Sequence, residues 1–255
     1  MKKFFLVPVV ALFAVVATAQ VNFQLHYDLG RNFYSDAESN RAKVTSTVEM
    51  YRPDATGSTY FFVDMDYFSD GVGAAYWEVS REFTIKSLKS SNFAAHIEYD
   101  GGLSVNKYTP QYASRYQQCF LVGPAYNWHN GDFSKTFSLQ AMYKQYVKKG
   151  DLSALPSFQV TGVWSTTFAK GLCTFAGFAD LWYGYTPRYK DNGHQKKGLV
   201  FISEPQFWVN IVNKNKQSGK FSIGTEWELS NDFIYPTNSK KTFFCNPTIA
   251  LKYVF

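Results

Sequence analysis

The sequence predicts an all-β protein: a single antiparallel transmembrane β-barrel of about twelve strands. Three observations carry this reading. An export leader opens the chain, extended segments follow with alternating short and long connections, and the final strand ends on an aromatic residue. After Gln20 no apolar run approaches the roughly 20 residues that a spanning helix needs. An integral membrane protein of this sequence must therefore satisfy its backbone polar groups in a closed barrel.

The leader has a basic head, Lys2-Lys3, an apolar run from Phe4 to Val16 broken only by Pro8, and small residues at Ala17-Thr18-Ala19. This is the pattern of a cleaved signal peptide, with the cut before Gln20. The division is residues 1–19 as signal peptide and 20–255 as outer-membrane β-barrel. No Cys follows the small residues, so a lipid-modified terminus is not expected.

Composition agrees. The 255 residues include 24 Phe and 18 Tyr, the residue types that outer-membrane barrels place in girdles at both membrane interfaces. The formal charge is +6, of which Lys2 and Lys3 supply two. No clustered basic stripe or nucleic-acid motif accompanies it, so no nucleic-acid partner is expected. Cys119, Cys173 and Cys245 are odd in number and widely spaced, which is neither a disulfide framework nor a metal set. A bridge such as Cys119–Cys173 stays open after export. No metal and no cofactor are expected.

The mature chain divides into extended segments near 20–29, 43–52, 58–68, 74–87, 92–101, 114–127, 133–146, 155–167, 171–184, 198–213, 219–232 and 243–255. Pro53–Gly57, Leu88–Ser91, Trp128–Asp132, Phe168–Lys170 and Lys214–Ser218 are short connections, several with Pro-Asp, Asn-Gly-Asp or Lys-Gly turn chemistry. Gly30–Ala42, Gly102–Ala113, Val147–Ala154, Tyr185–Lys197 and Phe233–Thr242 are longer, and Ser69–Gly73 alone is brief on that side. Short periplasmic turns and longer extracellular loops are the barrel pattern, and an even strand number returns both termini to the periplasmic side. The last segment alternates Ile249, Leu251, Tyr253 and Phe255 against Thr248, Ala250 and Lys252. A strand ending on a terminal aromatic resembles the signal read by the barrel assembly machinery, which makes that machinery an expected partner through Phe255, alongside outer-membrane lipid.

Parity assigns the faces, because a carboxylate facing lipid is costly. Phe61, Val63, Met65 and Tyr67 point out, so Tyr60, Phe62, Asp64 and Asp66 point in. By the same test Glu49 and Tyr51, then Glu78, Glu82 and Lys86, then His96, Glu98 and Asp100, then Glu204, Gln206 and Trp208, then Glu226 and Glu228 point in. Phe178, Asp180 and Trp182 share the inner face of their segment. Arg81 has outward parity, which calls for a bulge or for a long side chain reaching an interface. The lumen is expected to be acidic with interleaved aromatics, partly balanced by Lys86, Lys144 and Lys252.

The segments Thr47-Val48-Glu49-Met50-Tyr51, Tyr60-Phe61-Phe62-Val63-Asp64-Met65-Asp66, Glu78-Val79-Ser80-Arg81-Glu82-Phe83-Thr84-Ile85 and Gly177-Phe178-Ala179-Asp180-Leu181-Trp182-Tyr183-Gly184 resemble strands of the Tsx-like, nucleoside-specific channel-forming outer-membrane proteins. The resemblance implies a twelve-stranded barrel in the bacterial outer membrane with a narrow channel for nucleosides or related small solutes. It carries over Glu49, Phe62, Asp64, Asp66, Glu78 and Glu82 as lumen contacts. With Tyr60, Phe178, Asp180 and Trp182 from the same faces, these are the expected solute-binding residues. Ser80 stands where the family often has a second carboxylate, and Arg81 where it has a Pro.

Two other readings compete. A plugged structural or adhesive barrel would share every feature above except conduction. A barrel enzyme would need a nucleophile, a base and an orienting acid. Only His96 sits inward beside acids, and no nucleophile motif accompanies it, so no enzymatic activity is expected.

Overall fold

The computed structural model describes residues 19–86, 92–105, 113–211, 221–236 and 239–255. The expected leader and the expected turns at 88–91 and 214–218 lie outside these residues. The described chain is a closed, wholly antiparallel sheet in which each strand pairs with its neighbours in sequence and the last pairs with the first. The strands are β1 (Gln20–Asp28), β2 (Val44–Asp54), β3 (Gly57–Phe68), β4 (Gly71–Thr84), β5 (Phe93–Val105), β6 (Ala113–Arg115 and Cys119–His129), β7 (Lys135–Tyr146), β8 (Leu155–Phe168), β9 (Cys173–Tyr189), β10 (Gln195–Ser203 and Gln206–Asn210), β11 (Phe221–Asn231) and β12 (Phe243–Val254). The two pieces of β6 pair with one strand, β5, and the two pieces of β10 with β9 and β11, so the barrel has twelve staves. Closure runs from Asn22↔Val254 to Asp28↔Thr248, and the Phe255 amide adds a bond of 2.9 Å to the Val21 carbonyl.

Several strands run longer than the sequence pattern indicates, and the reasons are local. Gly71-Val-Gly-Ala-Ala has no bulky alternation, yet its backbone pairs with Tyr67 and Phe68 after a bulge at Asp66, and the Phe68 ring lies over Gly73. Thr186-Pro187 has the composition of a loop. Pairing instead skips from Tyr185↔Lys197 to Tyr189↔Gln195, because Pro187 has no N–H to offer the ladder. Pro205 interrupts β10 for the same reason. There the Glu204 amide still reaches the Phe178 carbonyl, and Trp227 N donates to the Pro205 carbonyl.

Ala55-Thr56, 130–134 and 169–172 are short connections at the end that carries both termini, while Ser69-Asp70 is brief at the opposite end. Ala55-Thr56 joins β2 to β3, with Asp54 Oδ1 accepting from the Thr56 amide at 2.8 Å and hydroxyl at 2.7 Å. In the turn between β6 and β7 the Ser134 hydroxyl and amide hold the Asp132 carboxyl below its usual range. Arg81 meets the second of the two expectations. Register is continuous past it, and its guanidinium reaches the rim, bonding Asp54 at 2.5 and 3.0 Å and Thr56 at 2.6 Å.

Outward parity gives a continuous apolar wall. Leu25, Val79, Ile97, Val122, Leu139, Val160, Val209 and Ile249 are all exposed, on strands spread around the whole barrel. An exposed apolar area of this extent is a surface for lipid tails rather than water. No described helix is long and apolar enough to cross a membrane.

Gly57 is fixed by sterics. Gly57 has φ +152°, and a Cβ there would lie 1.9 Å from the Glu82 carbonyl oxygen. Gly57→Ala should lower stability by about 2 kcal/mol or more, read as a lower denaturant midpoint of the detergent-folded barrel. Gly162→Ala, where a Cβ meets nothing within 4 Å, should be silent in the same measurement.

Candidate functional site in the barrel lumen

The inner wall is set by cross-strand register, since directly paired residues share a face. One row of partners runs Asn22, Glu49, Phe62, Glu78, Asp100 and Cys119 across β1 to β6. A neighbouring row runs Gln24, Thr47, Asp64 and Tyr76, and the next His26, Thr45 and Asp66. On the opposite arc Phe178 pairs with Val163, Asp180 with Thr161 and Trp182 with Gln159. Glu49, Tyr60, Phe62, Asp64, Asp66, Glu78, Glu82, Phe178, Asp180 and Trp182 all occupy inward positions.

Each carboxylate of β3 and β4 has polar partners of its own. Thr47 donates to Asp64 at 2.5 Å and Thr45 to Asp66 at 2.7 Å, so these two acids are capped by β2 hydroxyls. Glu78 takes a 2.7 Å bond from the Tyr76 hydroxyl and pairs with Asp100 on β5. Glu82 lies four residues nearer the turns. There it accepts from Asn127 at 2.6 Å and Gln140 at 3.3 Å and lies 3.1 Å from His96 Nδ1.

His96 holds Glu82 with Nδ1 and Glu98 with Nε2, at 3.1 and 3.0 Å. Both ring nitrogens are committed to carboxylates, which leaves none to activate a nucleophile. Cys119 is buried and donates to Asp100 at 3.0 Å, and all three cysteines are free thiols.

The inward aromatics divide into two kinds. Tyr60, Phe62 and Tyr76 form a ladder of tilted rings with centroids 6.1 and 5.9 Å apart, continued by Tyr116 at 6.3 Å. Trp208 is fully buried, with Lys252 Nζ 4.1 Å over its ring and His26 edge-on at 6.1 Å, so it is packing. Trp182 is intermediate, with Lys144 Nζ at 5.2 Å and Phe233 edge-on at 6.0 Å.

Charge on the wall is unbalanced. Carboxylates enter from Asp28, Glu49, Asp64, Asp66, Glu78, Glu82, Glu98, Asp100, Asp180, Glu204, Glu226 and Glu228. Among the described residues, the fixed cations facing them are Arg41, Lys144 and Lys252. Lys86, expected among these, lies past the end of β4 and is exposed. Its place is taken by Arg41, from the connection between β1 and β2, which no strand parity could flag.

That connection folds inward across the mouth opposite the termini. A one-turn helix α1 (Gly30–Phe33) starts where Asp28 Oδ1 accepts from the Gly30 amide at 2.7 Å. Tyr34 packs edge-on against Phe244 at 5.2 Å, and Asn246 donates to Glu38 at 2.9 Å. Arg41 then bonds Asp28 at 2.6 Å and Glu228 at 2.7 Å. Burial pushes the Glu38 carboxyl up, against the opposing hydrogen bond from Asn246 and the attraction of Arg41. A cavity of about 210 Å³ opens beside the segment, lined by Ala37, Glu38, Asn40, Arg41, Ile234 and Tyr235.

A single family model, described as a domain of unknown function (DUF5020), matches residues 19–255. The chain belongs to the DUF5020 family. No curated protein matches it. Among solved structures, this family member is similar to the NanC porin, at 12% identity and TM-score 0.53 over 92% of this chain and 99% of that one. A bacterial polysaccharide outer-membrane secretin matches at 10% identity and TM-score 0.35, over 94% of this chain and 99% of the other. The likeness to NanC is one of fold, a porin-like barrel.

Removing Arg41 leaves Asp28 and Glu228 nearly buried without their cation. Arg41→Ala should cost on the order of 3 kcal/mol in stability and free the segment between β1 and β2. Limited proteolysis checks this: new cleavage within residues 29–43 is expected, while the strands stay resistant.

Proposed function

We propose that the chain is an outer-membrane channel through which small solutes pass by passive diffusion, with nucleosides or related ring-plus-sugar molecules as its favoured class. The observation that carries this reading is the row Glu49–Phe62–Glu78, in which an aromatic ring lies between two carboxylates on adjoining strands. A nucleobase stacks on the Phe62 ladder while ribose hydroxyls donate to the flanking acids. The carboxylate excess repels anions and favours neutral or cationic solutes. Weak contacts at several levels, Tyr60 and Asp64 beside this row and Asp180 and Trp182 across from it, permit exit as well as entry. The resemblance to Tsx-like channels supports the same solute class, and the porin-like fold supports a channel. His96, the residue from which an enzymatic reading would start, is held on both sides by carboxylates.

A plugged barrel is the second reading. It draws on the buried Trp208 with its His26 and Lys252 neighbours, and on the segment folded across one mouth. Liposome swelling separates the two. Adenosine should enter faster than a sugar of similar size. Equal entry of both would remove the nucleoside claim, and entry of neither would favour the plug. Phe62→Ala should slow adenosine roughly fivefold, the loss of one stacking contact, with little effect on the sugar. Asp64→Asn combined with Asp66→Asn should narrow the preference for a cationic over an anionic solute of equal size.

Export with loss of residues 1–19 and insertion through the assembly machinery complete the proposal. Deleting Phe255 removes the terminal aromatic and one ladder bond to Val21. The truncated chain should accumulate unfolded in the periplasm, read as loss of heat-modifiable migration. Normal migration would count against a role in assembly.

A further inference from the structure

Three carboxylates on the lumen wall, of which Glu78 also belongs to the proposed solute row, stand close enough together to hold more than a solute. Glu78 and Asp100 are direct partners on β4 and β5, and Glu98 lies two residues before Asp100 on the same face. Their ligand oxygens all lie within 4.8 Å of one another. One oxygen of each is already engaged. Glu78 Oε1 takes the Tyr76 hydroxyl at 2.7 Å, Glu98 Oε2 lies 3.0 Å from His96, and Asp100 Oδ2 takes the Cys119 thiol at 3.0 Å and Lys144 at 3.4 Å. Asp100 is only 4% exposed, yet its Oδ1 is buried with no hydrogen-bond partner. A buried carboxylate oxygen left without a donor is costly, and a carboxylate in a native wall normally has its lone pairs satisfied.

We propose that Glu78, Glu98 and Asp100 bind a divalent cation of the calcium class, with Asp100 Oδ1 as a ligand. Charge favours this over further protein donors. Lys144 and His96 together bring at most two positive charges to three carboxylates that also face Asp180 across the lumen. Donor chemistry selects the ion: all the free atoms are carboxylate oxygens, which suit hard cations, and Cys119 is engaged as a hydrogen-bond donor rather than as a thiolate. An all-protein set of carboxylates suits calcium, which takes several such oxygens directly in flexible geometry, over magnesium, which keeps most of its waters. The ion would tie β4 to β5 beside Phe62 and remove negative charge from that row. This goes beyond the channel reading, and its test does not depend on solute flux.

The test is terbium luminescence of the full-length barrel folded in detergent. Terbium(III) replaces calcium at oxygen sites and is excited through a nearby phenol, here Tyr76 on Glu78. Saturable sensitised emission is expected, displaced by calcium at lower concentrations than by magnesium. Glu98→Gln and, separately, Asp100→Asn should weaken terbium binding at least tenfold, while Glu204→Gln on the far wall leaves it unchanged. Heat-modifiable migration shows which variants are folded, so that either substitution alone suffices. Absence of sensitised emission, or emission unaffected by both substitutions, would overturn the proposal.

Discussion

Everything in this structure depends on one constraint: a backbone in hydrocarbon must meet its own hydrogen-bonding needs. A sheet does so only by having no edge. The Asn22↔Val254 to Asp28↔Thr248 pairing removes the last edge, and the parity of every strand follows from it. Once the sheet is closed, each strand has one lipid face and one enclosed face, and a residue's position in the alternation decides its solvent. The acidic lumen is a consequence. Carboxylates that could not face lipid are collected on the inner wall, where they must be capped, paired or left charged.

How those carboxylates are handled gives the lumen its character. Thr45 and Thr47 cap Asp66 and Asp64, His96 bridges Glu82 and Glu98, and Lys144 and Arg41 neutralise the acids within their reach. The wall is thus a set of local arrangements separated by aromatic rings. The Tyr60–Phe62–Tyr76 ladder is the part of it where flat surface and carboxylates adjoin. That adjacency distinguishes this arc from the Trp208 side, where a cation covers the ring.

Much of this was legible in the sequence, because period-two alternation is a local signal and the cost of a charge in lipid fixes its sign. Twelve staves, the crossing of Asp64 and Asp66 to the lumen and the inward aromatics all follow from it. Strand ends were less legible. Gly71-Val-Gly and Thr186-Pro187 have the composition of loops, but pairing with a neighbouring strand overrides it. Arg41 was out of reach, since it enters the lumen from a connection with no periodicity. The Glu78–Glu98–Asp100 grouping was hidden for another reason. Its members come from two strands whose register only the folded barrel fixes, so no spacing within one segment announces them.

The central claim is that the enclosed face is a water-filled, negatively charged path. The reversal potential of the wild-type barrel in a planar bilayer under a tenfold potassium chloride gradient measures it directly. The account predicts an open conductance with a reversal potential on the potassium side, reporting cation preference. A chloride-side potential, or a bilayer that stays silent, would contradict it.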